Sequence, residues 1–297
     1  MIIKESHVVP DEITGTIRLK DYAFEVFSTI PSRKGIAKAI KRGEFLIDGQ
    51  TADTGRWIQP GQKIEHIDLQ LTTPREYRLE MEVVFEDEHM AIVNKPAGIE
   101  VNGNKFKTVE NALEGNITPT TEPDALKWPR PVHRLDAPTS GLLIIAKTHT
   151  AQIELGRQFE DRVIKKRYRA IVMGKAPDSG TINTPIDGRD SLSDFKLVSH
   201  VPSLRSEHLS LVDLYPHTGR KHQLRLHMAS IGHPILGDKQ HGEDGNIFKG
   251  KGLYLCAVEL QLNHPISRKQ MTVSIDHPLK FTTTLEREQN RWERYKG

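Results

Sequence analysis

The stretch "PVHRLDAPTSGLLIIAK", Pro131 to Lys147, sets the carboxylate of Asp136 two residues from the guanidinium of Arg134. Both stand in a turn crowded with Pro138, Thr139, Ser140 and Gly141. An aspartate among such residues ordinarily stabilises the turn by bonding nearby backbone. A carboxylate beside an arginine is also kept ionised, because the neighbouring positive charge favours its charged form. In a cleft, an ionised carboxylate can attack a sugar carbon, as in retaining glycosidases, but those enzymes hold a second carboxylic acid close by. No other acidic residue here has comparable surroundings. On pattern alone, turn former and reagent both stand open.

Other chemistries find less support. Ser140 with His133 as its base lacks a Gly-x-Ser-x-Gly elbow. His217, His222, His227, His233 and His241 suggest a metal, yet on a helix His222 and His227 would lie about 140° apart. Ligand pairs want spacings of three or four residues, and neither an HExxH nor a cysteine pair is present. Without a Walker-type loop or a GxGxxG, a nucleotide cofactor has no recognisable cradle. Neither a metal nor a cofactor is expected. The single cysteine, Cys256, lies in the apolar run "GLYLCAVEL" and reads as a buried thiol in a reducing compartment.

The elements that must position these residues are mostly strands. "MEVVFEDEHMAIVNKPAGIEV" reads as two strands about an acidic turn. Leu142 to Ala146 form an apolar strand, and Ala151, Leu155 and Phe159 recur at helical spacing after Thr148 or Thr150 as cap. In "KRYRAIVMG" the alternation puts Tyr168, Ala170 and Val172 on one face and Arg169, Ile171 and Met173 on the other. "HLSLVDLY", "GLYLCAVELQL" and "KQMTVSI" are further strands. A helix is predicted from Thr218 through "GRKHQLRLHMASI", closed by Gly232 and Pro234. Mixed order with few helices predicts an α+β fold, not a doubly wound sheet.

With 297 residues, 36% hydrophobic and 27% charged, the chain can bury a sizeable core. A net charge of +3 announces no nucleic-acid partner by itself, so its distribution matters. One short segment near the N-terminus is locally rich in basic residues. Ser32 can cap a helix that ends at Gly43, with Ile36 and Ile40 on one face. Lys34, Lys38 and Lys41 lie opposite, with Arg33 and Arg42 at the margins and no acidic residue among them. A solvated face is the ordinary reading of such a run, and this density of positive charge weighs against it. "EFLIDGQ" and "IQPGQKIEHID" add strands through Asp-Gly and Pro-Gly turns. The N-terminus is too acidic and too poor in apolar residues for a signal peptide. No apolar run approaches a membrane span, so a cytoplasmic protein is expected.

The stretches "VNKPAG", "HRLDAPTSGLLIIAK", "KKRYRAIVMG" and "TGRKHQLRLHMASIGHPILGD" occur in one order from about Asn94 to Asp238. In that order they resemble the signature of the RluA-type RNA pseudouridine synthases. "SRKGIAKAIKRGEFLIDGQ", followed by "QPGQKIE", resembles the S-four RNA-binding domain. The resemblance implies an isomerase converting uridine to pseudouridine on a predominantly antiparallel or mixed β-sheet domain. Catalysis would need no metal or nucleotide cofactor. The substrate would be structured RNA, ribosomal more than transfer RNA, and a monomer is expected. The family's catalytic aspartate falls on Asp136, its second-motif tyrosine on Tyr168, and the arginine paired with the aspartate on Arg225. The arginine that enters the space left by a flipped base falls on Arg134, and Arg33, Lys34, Lys38, Lys41 and Arg42 would bind RNA. "DAPTSG" carries Ala-Pro where many relatives have a charged or polar pair, and "GIEVNGN" lacks a histidine common after the KPAG turn. Those departures bear on substrate choice more than on activity. The other expectation is a catalytically silent RNA-binding or assembly protein on the same fold. The expected division is an RNA-binding domain over 1–68, a linker over 69–79, a catalytic domain over 80–285 and a charged tail over 286–297.

Overall fold

The apolar run after the Asp136 turn becomes a strand buried on both faces, which is why it reads as continuous rather than alternating. The computed structural model describes residues 2–13, 16–68, 77–103, 105–242 and 251–296. The chain divides into two units, Met1–Pro74 and Arg75–Gly297.

The first unit contains β1 (Ile2–Val8), β2 (Ile17–Arg18), α1 (Leu19–Val26), α2 (Arg33–Lys41), β3 (Phe45–Ile47), β4 (Gln50–Thr51), β5 (Trp57–Ile58) and β6 (Lys63–Asp68). Ser32 starts α2, its hydroxyl accepting a hydrogen bond from the Gly35 N–H at 3.0 Å. Gly43, at φ 77°, ends the helical path. Ile36 and Ile40 are buried against Leu19, Ala23, Phe45 and Ile64, so the apolar face of α2 is core. Asp48 and Gly49 have φ of 50° and 79°, the paired positive values of a tight hairpin turn, and join β3 to β4. The sheet order is β1-β6-β3-β4, and β2 pairs with β5.

The second unit contains β7 (Glu82–Glu86), β8 (Met90–Lys95), α3 (Val109–Ala112), β9 (Ala125–Pro131), β10 (Ser140–Thr148), α4 (His149–Glu160) and β11 (Lys165–Met173). There follow β12 (Ser179–Ile182), β13 (Ser193–Ser203), β14 (Glu207–Pro216), α5 (Gln223–Ser230), β15 (Leu255–Asn263), β16 (Gln270–Ser274) and α6 (Leu279–Lys296). Its sheet runs β12-β13-β14-β11-β15-β10-β8-β7, with β16 on β15 and β9 on β10. The β10–β15 pair is parallel and the other pairs are antiparallel, giving the α+β, mixed-sheet architecture. Leu143 and Ile145 of β10 enter one core cluster, while Leu142, Ile144 and Ala146 enter another with Ala151 and Leu155 of α4. Each such leucine or isoleucine contributes roughly 1.5–3 kcal/mol over an exposed position. Thr148 is the cap of α4, its hydroxyl accepting from the Ala151 N–H at 3.2 Å. Cys256 is buried. No described helix is long and apolar enough to cross a membrane.

One residue allows β10 to lie against β15. Gly141 has φ 109°, and a Cβ there would meet the Ala257 carbonyl oxygen at 2.2 Å. That contact involves backbone, which cannot swing away as a flexible side chain could. Gly141→Ala is therefore expected to destabilise the protein by at least about 1–3 kcal/mol, the scale of overpacking in a core, read from its urea midpoint.

Three expected boundaries change. Of the linker, residues 69–76 lie outside the described ones. Tyr77 and Leu79, however, pack on the second unit's core, and the Tyr77 N–H donates to the Asn111 carbonyl at 2.9 Å. The segment 286–297 is not a tail over its described length. Residues 286–296 continue α6, in which Leu285 and Glu288 are buried and the Ser203 hydroxyl donates to Glu288 at 2.9 Å. The predicted helix from Thr218 begins only at Gln223. The Gln223 amide makes the difference. Its oxygen accepts from the Thr218 hydroxyl and the Arg220 N–H, and its nitrogen donates to the Leu192 carbonyl and the Ser193 hydroxyl. These bonds satisfy the preceding residues as a loop, so the backbone has less to gain from a helix.

Candidate active site

The site is assembled at the turn between β9 and β10, with β11 and the start of α5 opposite. Lys95, at the end of β8, is fully buried beneath the turn. Its ammonium donates to the carbonyls of Thr139 at 2.8 Å, Pro96 at 2.9 Å and Ala137 at 3.2 Å. Burial pushes this amine down to about 8, against the pull of the Asp136 carboxylate. The Gly98 N–H donates to the Ala137 carbonyl at 2.7 Å, tying the KPAG turn to the same loop. Asp136 is thus presented by a turn whose backbone is held from below.

Two groups face the Asp136 carboxylate. Arg225 Nη1 lies 3.7 Å from Oδ2, and His222 Nε2 lies 3.8 Å from Oδ1. Arg225 is only 3% exposed, and its strongest bonds go elsewhere. Its Nε and Nη2 donate to the buried Asp238 carboxylate at 2.7 and 2.6 Å, and Nη2 also donates to Gln240 at 3.0 Å. That bidentate fork fixes the guanidinium plane and leaves Nη1 directed at Asp136. The expected Asp136–Arg225 proximity exists, but it is one arm of a three-residue arrangement. Tyr168 enters from β11, whose residues 168 and 169 pair with Ala257 and Cys256 of β15, the strand beside β10. Burial, together with the Asp136 carboxylate and Cys256, pushes the phenol well above its usual range, so it stands as a neutral hydroxyl.

His133 is structural. Its Nε2 accepts from the Ile144 N–H at 3.0 Å and its ring lies 4.8 Å from that of Phe159. Burial, then Lys166, pushes it down to about 3, and the occupied Nε2 leaves Ser140 without a base. Arg134 is exposed and makes no ion pair among the described residues. Arg134, Asp136, His222 and Arg225 line both lobes of one cleft, of about 410 and 440 Å³, and Tyr168 lines the former. Such volumes suit a ligand of nucleotide size.

The family described as RNA pseudouridylate synthase matches residues 89–230. The ribosomal large subunit pseudouridine synthase D of Nitrosomonas europaea is 32% identical over 288 residues, 87% of this chain and 80% of that one. The dual-specificity RNA pseudouridine synthase RluA of Haemophilus influenzae is 34% identical over 209 residues, 65% of this chain and 91% of that one. The chain belongs to the RluA-type RNA pseudouridine synthases. It is an isomerase acting on RNA. The solved structure of human RNA pseudouridylate synthase domain containing 1 superposes with a TM-score of 0.57 at 25% identity, covering 67% of this chain and 84% of that one.

In this synthase the residues singled out as catalytic, Asp136, Tyr168 and Arg225, share one cleft with Arg134. Three others at the site were not singled out from sequence for it. Asp238 and Lys95 stand within recognisable motif segments, "HPILGD" and "VNKPAG", which was their only signal. His222 was weighed only as a metal ligand. The five histidines do not converge. His217 bonds Asp194, His227 bonds Ser191 and the Thr184 carbonyl, and His233 bonds the Met173 carbonyl. Among the described residues no three His, Cys, Asp or Glu side chains could hold one ion.

The cationic face of α2 belongs to the first unit and is narrower than its composition implied. Arg33 pairs with Asp21 at 3.1 Å and Glu25 at 3.6 Å, and Arg42 is held by Glu44 at 2.5 and 2.7 Å. Lys34, Lys38 and Lys41 make no ion pair among the described residues. Acidic neighbours neutralise the two margins, Asp21 and Glu25 from the preceding helix and Glu44 from just past the end of α2.

Proposed function

We propose that this synthase isomerises specific uridines in structured RNA, ribosomal RNA before transfer RNA, using Asp136 at the ribose. The observation that carries the reading is a turn-borne carboxylate facing a buried, fork-held arginine, with a neutral tyrosine across the cleft. A stacked uridine must leave its stack before any side chain reaches C1′. Arg134, exposed and unpaired at the rim, fills the vacated space. Asp136 acts at C1′ as the N1–C1′ bond breaks. Tyr168 packs on the freed base while it turns and offers a proton. Arg225 faces and orients Asp136. C5 then joins C1′, the C5 proton leaves and N1 gains one, so no oxidant or cofactor is consumed.

The ribosomal preference draws on a relative whose name specifies the large subunit and on an N-terminal unit that resembles an S-four domain and carries the lysine face of α2. The dual-specificity relative keeps transfer RNA as the second substrate. The enzyme works in the cytoplasm as a monomer. Tritium release from RNA labelled at uracil C5 tests the reading, with ribosomal and transfer RNA supplied separately. RNA binding without release would instead identify a silent assembly protein on this fold.

The unpaired lysines of α2 make a second test. Phosphate contacts fix position and affinity without reading sequence. If each of Lys34, Lys38 and Lys41 meets one phosphate of a single strand, replacing one with glutamine lowers the salt slope of binding by roughly 0.7. Arg33→Gln and Arg42→Gln should change it less, because their charges are already matched by Asp21, Glu25 and Glu44. Affinity against salt for each variant decides, and an unchanged slope in the lysine variants would make α2 a solvated face.

A further inference from the structure

Resting on the reading of the first unit as an RNA-binding module, we propose that Trp57 is a stacking platform for an unpaired RNA base. Arg18 and Arg56 are placed to meet the phosphates that flank that base. Trp57 lies in β5, across the ladder from Arg18 of β2. The next residue along each strand path, Ile58 and Leu19, is buried in the core of the unit. Successive side chains of a strand point to opposite faces, so burying Ile58 turns Trp57 outward. The tryptophan is left 47% exposed.

The platform is held in place from both sides. Ile17 pairs with Ile58 in the same ladder, and the Leu19 N–H donates to the Arg56 carbonyl at 2.9 Å. The Arg18 guanidinium stands over the indole, 5.1 Å from the ring centroid. That contact draws on the negative face of the ring and restrains its rotation. An indole restrained before binding loses less rotamer freedom when a base settles on it.

A single exposed apolar side chain is ordinary on a protein surface. Trp57 differs by its company. Arg18 and Arg56 are both exposed, and neither makes an ion pair among the described residues, unlike Arg33 and Arg42 of the same unit. An aromatic face between two uncompensated cations matches a nucleotide, which carries a flat base and an anionic phosphate together. Every base has a π-face, so such a stack accepts any sequence, with arginine adding its own cation–π attraction. A base inside a duplex cannot reach the indole, whereas one in a loop or bulge can be splayed out onto an aromatic side chain. The lysines of α2 would meet phosphates wherever they occur. Trp57 adds a requirement for an unpaired nucleotide.

The test is equilibrium binding by full-length wild type, Trp57→Ala and Trp57→Tyr. The probes are single-stranded oligoadenylate and an abasic oligomer with the same number of phosphates. Trp57→Ala should weaken oligoadenylate binding roughly 5- to 150-fold, which is about 1–3 kcal/mol at about 1.4 kcal/mol per tenfold. Its affinity for the abasic oligomer should match wild type. The salt slope with oligoadenylate should stay the same, because losing a stack leaves the phosphate contacts and their released counterions unchanged. Trp57→Tyr keeps an aromatic face and should retain most of the affinity. Oligoadenylate should also quench indole emission more in wild type than in Trp57→Tyr, where Trp128 and Trp292 remain. A loss within about twofold in Trp57→Ala, or an equal loss with both oligomers, would overturn the proposal. So would a wild type that does not prefer oligoadenylate, which would leave the indole to a protein partner. An effect of the α2 lysine variants alone would strike out the stack and keep the RNA-binding module. No effect from either set would strike out the module itself.

Discussion

Asp136→Asn should reduce pseudouridine formation by at least about 10³-fold, the scale seen when the nucleophile of a cooperating residue set is removed. RNA affinity should stay close to wild type. Asparagine keeps the size and turn chemistry of aspartate, so the bonds from Lys95 to the Thr139, Pro96 and Ala137 carbonyls persist. What disappears is the charge facing Arg225 Nη1 at 3.7 Å and the oxygen proposed to act at C1′. Tritium release in single turnover, paired with equilibrium RNA binding, separates loss of chemistry from loss of substrate. A variant with near-normal release would return Asp136 to the role of a turn former.

Arg225→Met should cost both stability and activity, and for two different carboxylates. Methionine retains much of the apolar volume but none of the donors. Asp238, 2% exposed, would lose the fork that pairs it, and breaking a buried ion pair by deleting one partner costs about 3–5 kcal/mol. Burial by itself would raise the Asp238 pKa. Bonds from Arg225 and from the Gln240 and His241 N–H groups outweigh burial and hold it below the ordinary 3.8. A folded-state value below the unfolded one stabilises the protein fully above 3.8, and that stability is lost as pH falls through the lowered value. In Arg225→Met the unpaired carboxyl is relieved by taking up a proton. The stability gap between variant and wild type should therefore narrow as pH falls, and urea midpoints between neutral and acidic pH report it. A gap constant with pH would remove Asp238 as the cause.

The sequence by itself determined most of the local structure of the second unit. The run from Leu142 to Ala146, the alternation around Tyr168 and the Thr148 cap each specify an element, because burial periodicity and capping are short-range signals. Motif order likewise singled out Asp136, Tyr168, Arg225 and Arg134 together. Tertiary structure decided what long-range partners do. Strands β9, β12 and β13 and helices α1 and α6 lack a strong local pattern and are held by tertiary neighbours. Thr218 to His222 contain no feature forbidding a helix, and the bonds of Gln223 to β13 turned them into a loop that aims His222 at the cleft. Composition counted five cations on α2, but Asp21, Glu25 and Glu44 neutralise two of them only once the chain folds. The largest difference lies at Arg225. A motif could bring it to Asp136, but the fork to Asp238, which sets the plane of the guanidinium, depends on where a buried carboxylate sits in space.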